Sequence, residues 1–252
     1  GRLGIRDTEI SACADGIASS QTLRLEGAFT HFPCADEPGT DTVSRQFHQF
    51  NQACALLRAA GLSIPLIHCS NSAVISRFSL QKITHVRPGI ALYGCSTDPH
   101  QDFGLDLQPV ASLKARVIKL KKVPAHTPIS YGSHYVTPAE TFIATIPVGY
   151  GHGLPRLVSN TGAVLIRGRR YRIAGNVTMD YIMVDAGGKP EVRIGDEVVV
   201  MGYQGKDCIT TDEIARHCNT IGYEIICNLH SRIERFYILN NDIVKHEPST
   251  QQ

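Results

Sequence analysis

Residues 41–72 read DTVSRQFHQFNQACALLRAAGLSIPLIHCSNS, and their pattern changes period once, at Gly61. Before it, Val43, Phe47, Phe50, Cys54 and Leu57 recur at steps of four and three, the spacing of one face of an amphipathic helix over 41–60. Gly61 stands where such a helix would stop, because glycine accepts the left-handed backbone that closes a helical C-terminus. After it, Ile64 to Cys69 is a short apolar run followed by turn residues, which is the signature of a buried strand. Outward from this stretch, Leu25 to Phe32 forms a further strand-like segment. Ser72 to Phe78 fits a short helix, and Ile83 to Val86 a strand before Pro88-Gly89. The resulting β-α-β-α-β order predicts a parallel sheet with right-handed crossovers, as in a doubly wound sheet or part of a (β/α)8 barrel.

Beyond about Gly104 the helical period disappears. Leu113–Val123, Thr141–Val148, Ala163–Arg167, Tyr171–Val177, Tyr181–Asp185 and Glu197–Met201 are strand-like and separated by Gly, Pro and Asn, which predicts an antiparallel domain. Thr210 with Glu213 predicts a capping-box start to one helix among them. The boundary between the α/β part and the β-rich part is expected at residues 105–110.

Composition narrows the function classes. Of the 252 residues, 42% are hydrophobic and 19% charged, an ordinary globular balance. A formal net charge of +2 gives no electrostatic argument for nucleic acid. The basic stretches Lys119–Lys122 and Arg167–Arg172 alternate with apolar residues, as solvated strand faces do. The eight cysteines include no C-x-x-C pair, so no zinc site or disulfide framework is expected, only reduced thiols. The apolar runs are too short to span a bilayer. The chain opens on Gly1-Arg2 without a methionine.

Functional groups in parallel α/β architectures collect at the carboxyl ends of the strands. Three such ends are polar here. Thr30-His31-Phe32 precedes Ala35-Asp36-Glu37. His68-Cys69-Ser70-Asn71-Ser72 opens a helix with hydroxyls and backbone N–H groups, a natural phosphate cradle. Arg87-Pro88-Gly89-Ile90 sets a cation beside a glycine that a ligand can approach closely. Each alone has an ordinary alternative: a satisfied core histidine at His31, an N-cap at Ser72, a structural ion pair at Arg87. Their shared position at strand ends favours a site. In the second half, Tyr131 and Tyr150 sit among glycines in loops. A tyrosine hydroxyl there is either a general acid/base or a packing group with one hydrogen-bond partner.

Together and in this order, these segments resemble the bacterial alanine racemases over nearly the whole chain. The resemblance is carried by Gly1-Arg2-Leu3-Gly4-Ile5, Thr30-His31-Phe32, Asn71-Ser72-Ala73, Val86 to Gly94, Ser130-Tyr131-Gly132, Gly149-Tyr150, Thr178-Met179-Asp180 and Ile221-Gly222-Tyr223-Glu224. It implies a (β/α)8 barrel part over 1–106 that binds pyridoxal 5'-phosphate. A β-rich domain carrying the catalytic tyrosine follows over 107–252, the whole working as a cytoplasmic homodimer that supplies D-alanine for peptidoglycan. Ser72, Gly89, Ile90 and Tyr223 match the family's phosphate-binding positions. His31 matches the imidazole beside the pyridine ring, and His68 the partner of Arg87, which faces the ring nitrogen. Arg2 and the Met179 N–H match the groups that hold the substrate carboxylate. Asp36 and Tyr150 match residues lining the entrance. Tyr131 matches the catalytic tyrosine, which in this family reaches the opposite subunit's cofactor. Asn176 stands where many relatives carry an arginine in the entrance region, so gating is expected to differ.

The family's lysine that holds the cofactor lies in a segment of the form KANAYGHG, which these 252 residues do not contain. The expectation is therefore a C-terminal two-thirds that is inactive by itself. Rival readings are a racemase of serine or another amino acid, a non-catalytic barrel that binds the same cofactor, and a scaffold fragment. Tyr223 argues against serine preference, since serine-preferring relatives commonly carry a smaller polar residue there. Residues 107–240 argue against the single-domain barrel.

Overall fold

A computed structural model describes residues 2–37, 39, 41–97 and 104–249. Gly1 of the first resembling segment and positions 98–103 near the expected boundary lie outside them. The chain divides into two compact units, Gly1–Leu92 with Asp102–Asp106, and Tyr93–Gln101 with Leu107–Gln252.

The first unit contains α1 (Ile10–Ser19), β1 (Gly27–Phe29), α2 (Thr42–Ala59), β2 (Leu66–His68) and α3 (Ser72–Arg77). Helix α2 buries Val43, Phe50, Cys54 and Leu57, the stripe its period predicts. It closes as expected at Gly61, φ +80°. The Leu62 N–H reaches the Leu57 carbonyl at 3.1 Å and the Gly61 N–H that of Arg58 at 2.9 Å, a Schellman closure. Leu57 and Leu62 both belong to the core of this unit, so the cap is also an apolar contact. Helix α1, which the period analysis does not anticipate, adds Ile10 and Ala14 to the same core, one turn apart.

Strands β1 and β2 pair in parallel with Gly27 opposite Leu66 and Phe29 opposite His68. A Cβ at Gly27 would lie 2.7 Å from the Leu66 carbonyl oxygen, so only glycine permits this approach. The expected third strand, 83–86, contracts to one parallel bridge between His68 and His85. The reason is a side-chain contact with the neighbouring strand. The Thr84 hydroxyl accepts from the Ile67 N–H at 2.7 Å and donates to the Ile67 carbonyl at 3.1 Å, occupying groups that a longer ladder would use.

The second unit contains β3 (Leu113–Arg116), β4 (Lys119–Val123), β5 (Pro128–Ile129), β6 (Tyr135–Val136), β7 (Thr141–Ile146), β8 (Ala163–Ile166), β9 (Arg169–Arg172), β10 (Ile182–Gly187), β11 (Glu197–Gln204) and β12 (Asp207–Ile209). Helices α4 (Thr211–Cys218) and α5 (Gly222–Cys227) and the hairpin β13 (Arg235–Leu239) with β14 (Asp242–Glu247) follow. One sheet runs β10-β7-β4 and another β12-β11-β8-β9, with β3 also on β11. Ile146, Leu165, Ile166, Val184, Val198 and Val199 form the centre of the core.

The expected single strand 113–123 is two strands in different sheets. Leu113–Arg116 pairs with β11 and Lys119–Val123 with β7. At the corner, the Val117 N–H donates to the Asp196 carbonyl and the Ile118 N–H to that of Thr145, each at 3.0 Å. Val117 fills the core as the chain changes sheets. The expected strand 171–177 ends early: β9 stops at Arg172, a single bridge joins Ile173 to Val184, and Gly175 follows at φ +83°. Helix α4 has its predicted cap, Thr210 Oγ1 accepting from the Glu213 N–H at 3.1 Å. The Glu213 carboxylate does not close the box. It takes a charge-assisted bond from Arg170 at 2.6 Å instead. Among the described residues, no helix is long and apolar enough to cross a membrane.

Candidate active site

In the first unit, strand ends bring Arg87, His68 and His31 together. The Arg87 guanidinium donates to the His68 carbonyl at 2.9 Å, to the Thr30 carbonyl at 3.0 Å and to His68 Nδ1 at 2.6 Å. His31 Nδ1 lies 3.5 Å from its other terminal nitrogen. The Phe29 ring lies beneath, 5.6 Å from the guanidinium carbon and stacked on His68 at 5.3 Å. Arginine has only donors, so His68 Nδ1 must accept, which fixes the neutral imidazole with its proton on Nε2. Burial, then Arg87 and His85, hold His68 below the ordinary histidine range. Burial, then Arg2 and Arg87, do the same for His31. Arg2 therefore acts electrostatically on His31.

These depressed values have a consequence for stability. A histidine whose folded pKa falls below its unfolded 6.5 binds fewer protons folded than unfolded, so its contribution is complete above 6.5. That contribution is lost as pH falls from 6.5 through the folded pKa. Denaturant unfolding should show a lower midpoint at pH 5.5 than at pH 7.5, and His68→Gln should flatten this part of the profile. An equally steep profile in His68→Gln would show that His68 is not its source.

Beside this group, buried Ser72 accepts at Oγ from the Gly89 N–H at 2.9 Å and the Ala91 N–H at 3.4 Å. Asn71 caps α3, accepting from the Val74 N–H at 3.0 Å while its amide holds the Phe32 carbonyl at 3.0 Å. Ile90 is buried and starts the 3-10 turn Ile90–Tyr93. Gly89 has no left-handed φ, and the nearest atom to a Cβ placed there is Ser72 Oγ at 3.8 Å. The chain's own packing therefore does not require glycine at 89, whereas a group seated against Ser72 would. Asp36 stands in a separate loop, where Arg77 holds the carbonyls of Ala35 and Asp36 at 3.2 and 2.9 Å.

In the second unit, the Tyr150 and Met179 turns are joined. The Tyr150 N–H donates to the Thr178 carbonyl at 3.0 Å and the Gly151 N–H to that of Met179 at 2.9 Å. A Cβ at Gly149 would fall 2.1 Å from the Thr178 oxygen. Tyr131 is 76% exposed, and Tyr150 and Met179 are also exposed. Tyr223 is carried on a separate element, α5. Sequence reasoning missed Gln46, whose amide donates to the Thr30 hydroxyl at 3.0 Å and the His31 carbonyl at 2.7 Å. Its position, three residues after Val43 and four before Phe50, was the available signal.

A parallel α/β unit with a cation, imidazoles and a hydroxyl-lined turn at its strand ends, followed in sequence by a β-rich unit with loop tyrosines, defines a two-part protein of α/β plus β-rich class. Comparison with known proteins agrees. The family models for the N-terminal and C-terminal domains of alanine racemase match residues 1–97 and 110–237. The alanine racemase of Halothermothrix orenii is 43% identical over 237 residues, covering 94% of this chain and 62% of that protein. Alanine racemase 2 of Bacillus subtilis is 40% identical over 250 residues, covering 97% and 63%. The crystal structure of alanine racemase from Bacillus anthracis with bound L-Ala-P superposes with a TM-score of 0.89 at 35% identity, covering 98% of this chain and 64% of that one. This chain belongs to the alanine racemase family and has its fold, a (β/α)8-type part followed by a β-rich part. It spans under two thirds of the length of these relatives.

Proposed function

We propose that the intact protein is a pyridoxal-phosphate-dependent alanine racemase that interconverts L- and D-alanine with two acid/base groups. The observation that carries this reading is the Arg87 guanidinium, held by backbone carbonyls and a neutral histidine at the strand ends. A Cβ at Gly89 would meet only Ser72 Oγ, at an ordinary contact of 3.8 Å, which supports a phosphate seated against Ser72. When bound, pyridoxal phosphate supplies an electron sink for the charge left on the α-carbon. Arg87 would face its ring nitrogen and, since a guanidinium keeps its protons at neutral pH, would leave that nitrogen without one. His68 holds Arg87, and His31 would lie beside the ring as a neutral imidazole. By the family resemblance, Ser72, Gly89, Ile90 and Tyr223 would hold the phosphate. Arg2 and the Met179 N–H hold the substrate carboxylate, while Asp36 and Tyr150 line the entrance. Tyr131 takes the α-proton from L-alanine and returns one to its carbon on the same face. The opposite face is served by the family's cofactor-holding lysine.

On this reading residues 1–106 and 107–252 belong to the cofactor-binding and tyrosine-bearing domains. Two copies share their sites in a homodimer, and the D-alanine serves peptidoglycan synthesis in the cytoplasm. The test is racemisation of L- and D-alanine, with L-serine alongside, by the purified intact protein supplied with pyridoxal phosphate. Equilibration of alanine supports the reading, faster turnover of serine transfers it to the serine class, and no turnover of either overturns it.

The Gly89 contact gives a separate check. Gly89→Ala should leave the melting temperature unchanged or slightly raised, since the methyl group would meet only Ser72 Oγ at an ordinary 3.8 Å contact, while weakening pyridoxal-phosphate binding. Gly149→Ala should lower stability by about 2 kcal/mol or more, because its methyl meets backbone oxygen. Unchanged cofactor affinity in Gly89→Ala would remove Gly89 from the phosphate site.

A further inference from the structure

We infer that Asn176 is a positioning residue for Tyr131, acting through the tyrosine's backbone rather than its ring; the inference rests on the acid/base reading of Tyr131. Packing within the chain does not fix the Tyr131 side chain, which is 76% exposed. Its backbone, however, is held in an unusual state. Ser130 has φ +64° and ψ −179°, a combination that residues with side chains rarely adopt. Gly132 and Ser133 follow at φ +73° and +51°. A turn of this kind persists only where its surroundings impose it.

Asn176 supplies that restraint in both directions. Its side-chain amide donates to the Tyr131 carbonyl at 2.8 Å, and its own carbonyl accepts from the Ser130 hydroxyl at 2.7 Å. Asn176 is buried and its neighbours are pinned in turn. The Gly175 N–H donates to Asn160 Oδ1 at 2.7 Å, and the Val177 N–H to Ser159 Oγ at 2.9 Å. At Gly175 a Cβ would lie 2.5 Å from the Ile129 carbonyl oxygen and 2.7 Å from Ser130 Cβ, so the two segments touch directly. The 175–177 segment then runs on to the Met179 turn. Asn176 thereby ties the backbone that bears the proton-transfer group to the backbone that bears the carboxylate-binding N–H. The neutral carboxamide suits this place. A carboxylate of the same shape would set an oxygen against the Tyr131 carbonyl, with no proton between them.

The experiment uses Ser130→Gly, Asn176→Asp and Tyr131→Phe in the intact enzyme. It measures exchange of the α-hydrogen into deuterated solvent from each alanine enantiomer, KM, melting temperature and backbone amide exchange. Ser130→Gly removes one of the two bonds of the clamp, that from the Ser130 hydroxyl to the Asn176 carbonyl, while relieving the strained φ, so its melting temperature should not fall. In it and in Asn176→Asp, amides 130–133 should exchange faster and α-exchange from L-alanine should drop about tenfold. KM and α-exchange from D-alanine should stay within about twofold of the parent. Parent-like L-to-D exchange ratios in both clamp variants, with Tyr131→Phe still collapsing exchange from L-alanine, would overturn the clamp alone. So would a parallel loss for both enantiomers that tracks the melting temperature. Undiminished exchange from L-alanine in Tyr131→Phe would instead overturn the reading of Tyr131 itself.

Discussion

Tyr131→Phe in the intact enzyme should lower racemisation by about 10²- to 10⁴-fold, the range expected for a positioned general base. The ring is retained and the site is exposed, so folding and cofactor binding should survive the change. Net turnover must slow equally in both directions, because an enzyme cannot shift the alanine equilibrium. The asymmetry belongs to single proton transfers. Exchange of the α-hydrogen from L-alanine should collapse, while that from D-alanine should persist through the lysine on the other face. If the tyrosine acts across a dimer, mixing Tyr131→Phe subunits with subunits lacking that lysine should restore one working site per mixed dimer. Equal residual exchange from both enantiomers would refute the role, and absence of rescue would refute the subunit assignment.

Arg87→Glu carries the second large effect. The guanidinium satisfies the carbonyls of Thr30 and His68 and the His68 ring nitrogen, all acceptors. A glutamate offers none of those donors and would instead share a proton with the pyridine nitrogen. Racemisation should fall on the order of 10²-fold, the size of losing one preorganised electrostatic partner. A new long-wavelength absorbance should develop with substrate, because a protonated ring withdraws charge more strongly. Arg87→Lys separates charge from geometry. Its single ammonium keeps the nitrogen unprotonated but cannot span both carbonyls, so the rate should fall without the new band. An unaltered rate and spectrum in Arg87→Glu would place Arg87 outside the cofactor site.

Much of the first unit is written in local periodicity. The stripe of α2 and its closure at Gly61 need only residues 43–62, and the structure repeats them nearly residue for residue. The polar strand ends were legible for a related reason: in a parallel α/β unit, position along the chain already says which end of a strand a residue occupies. His68 and Arg87 stand out on that ground, and the family resemblance pairs them, as the structure does. The turn at Ser72 was legible through its short side chains and glycine.

Other features depended on partners far along the chain. That 113–123 is two strands follows from where β11 and β7 lie, not from its own alternation. That 83–86 yields a bridge rather than a strand follows from the Thr84 hydroxyl meeting Ile67, 17 residues away. The helical spacing of Gln46 from Val43 and Phe50 hints at its face but not at its partner His31, and the amide of Asn176 reaching Tyr131 across 45 residues leaves no trace in any short window. Sequence by itself determined helices α2, α3 and α4, the strand-end chemistry and the family, because periodicity, turn chemistry and motif order are properties of consecutive residues. Tertiary structure alone decided which strands share a sheet, which tautomer His68 holds and what restrains Tyr131. A hydrogen bond is set by distance and angle in space, and the chain brings those donors and acceptors together only once it has folded.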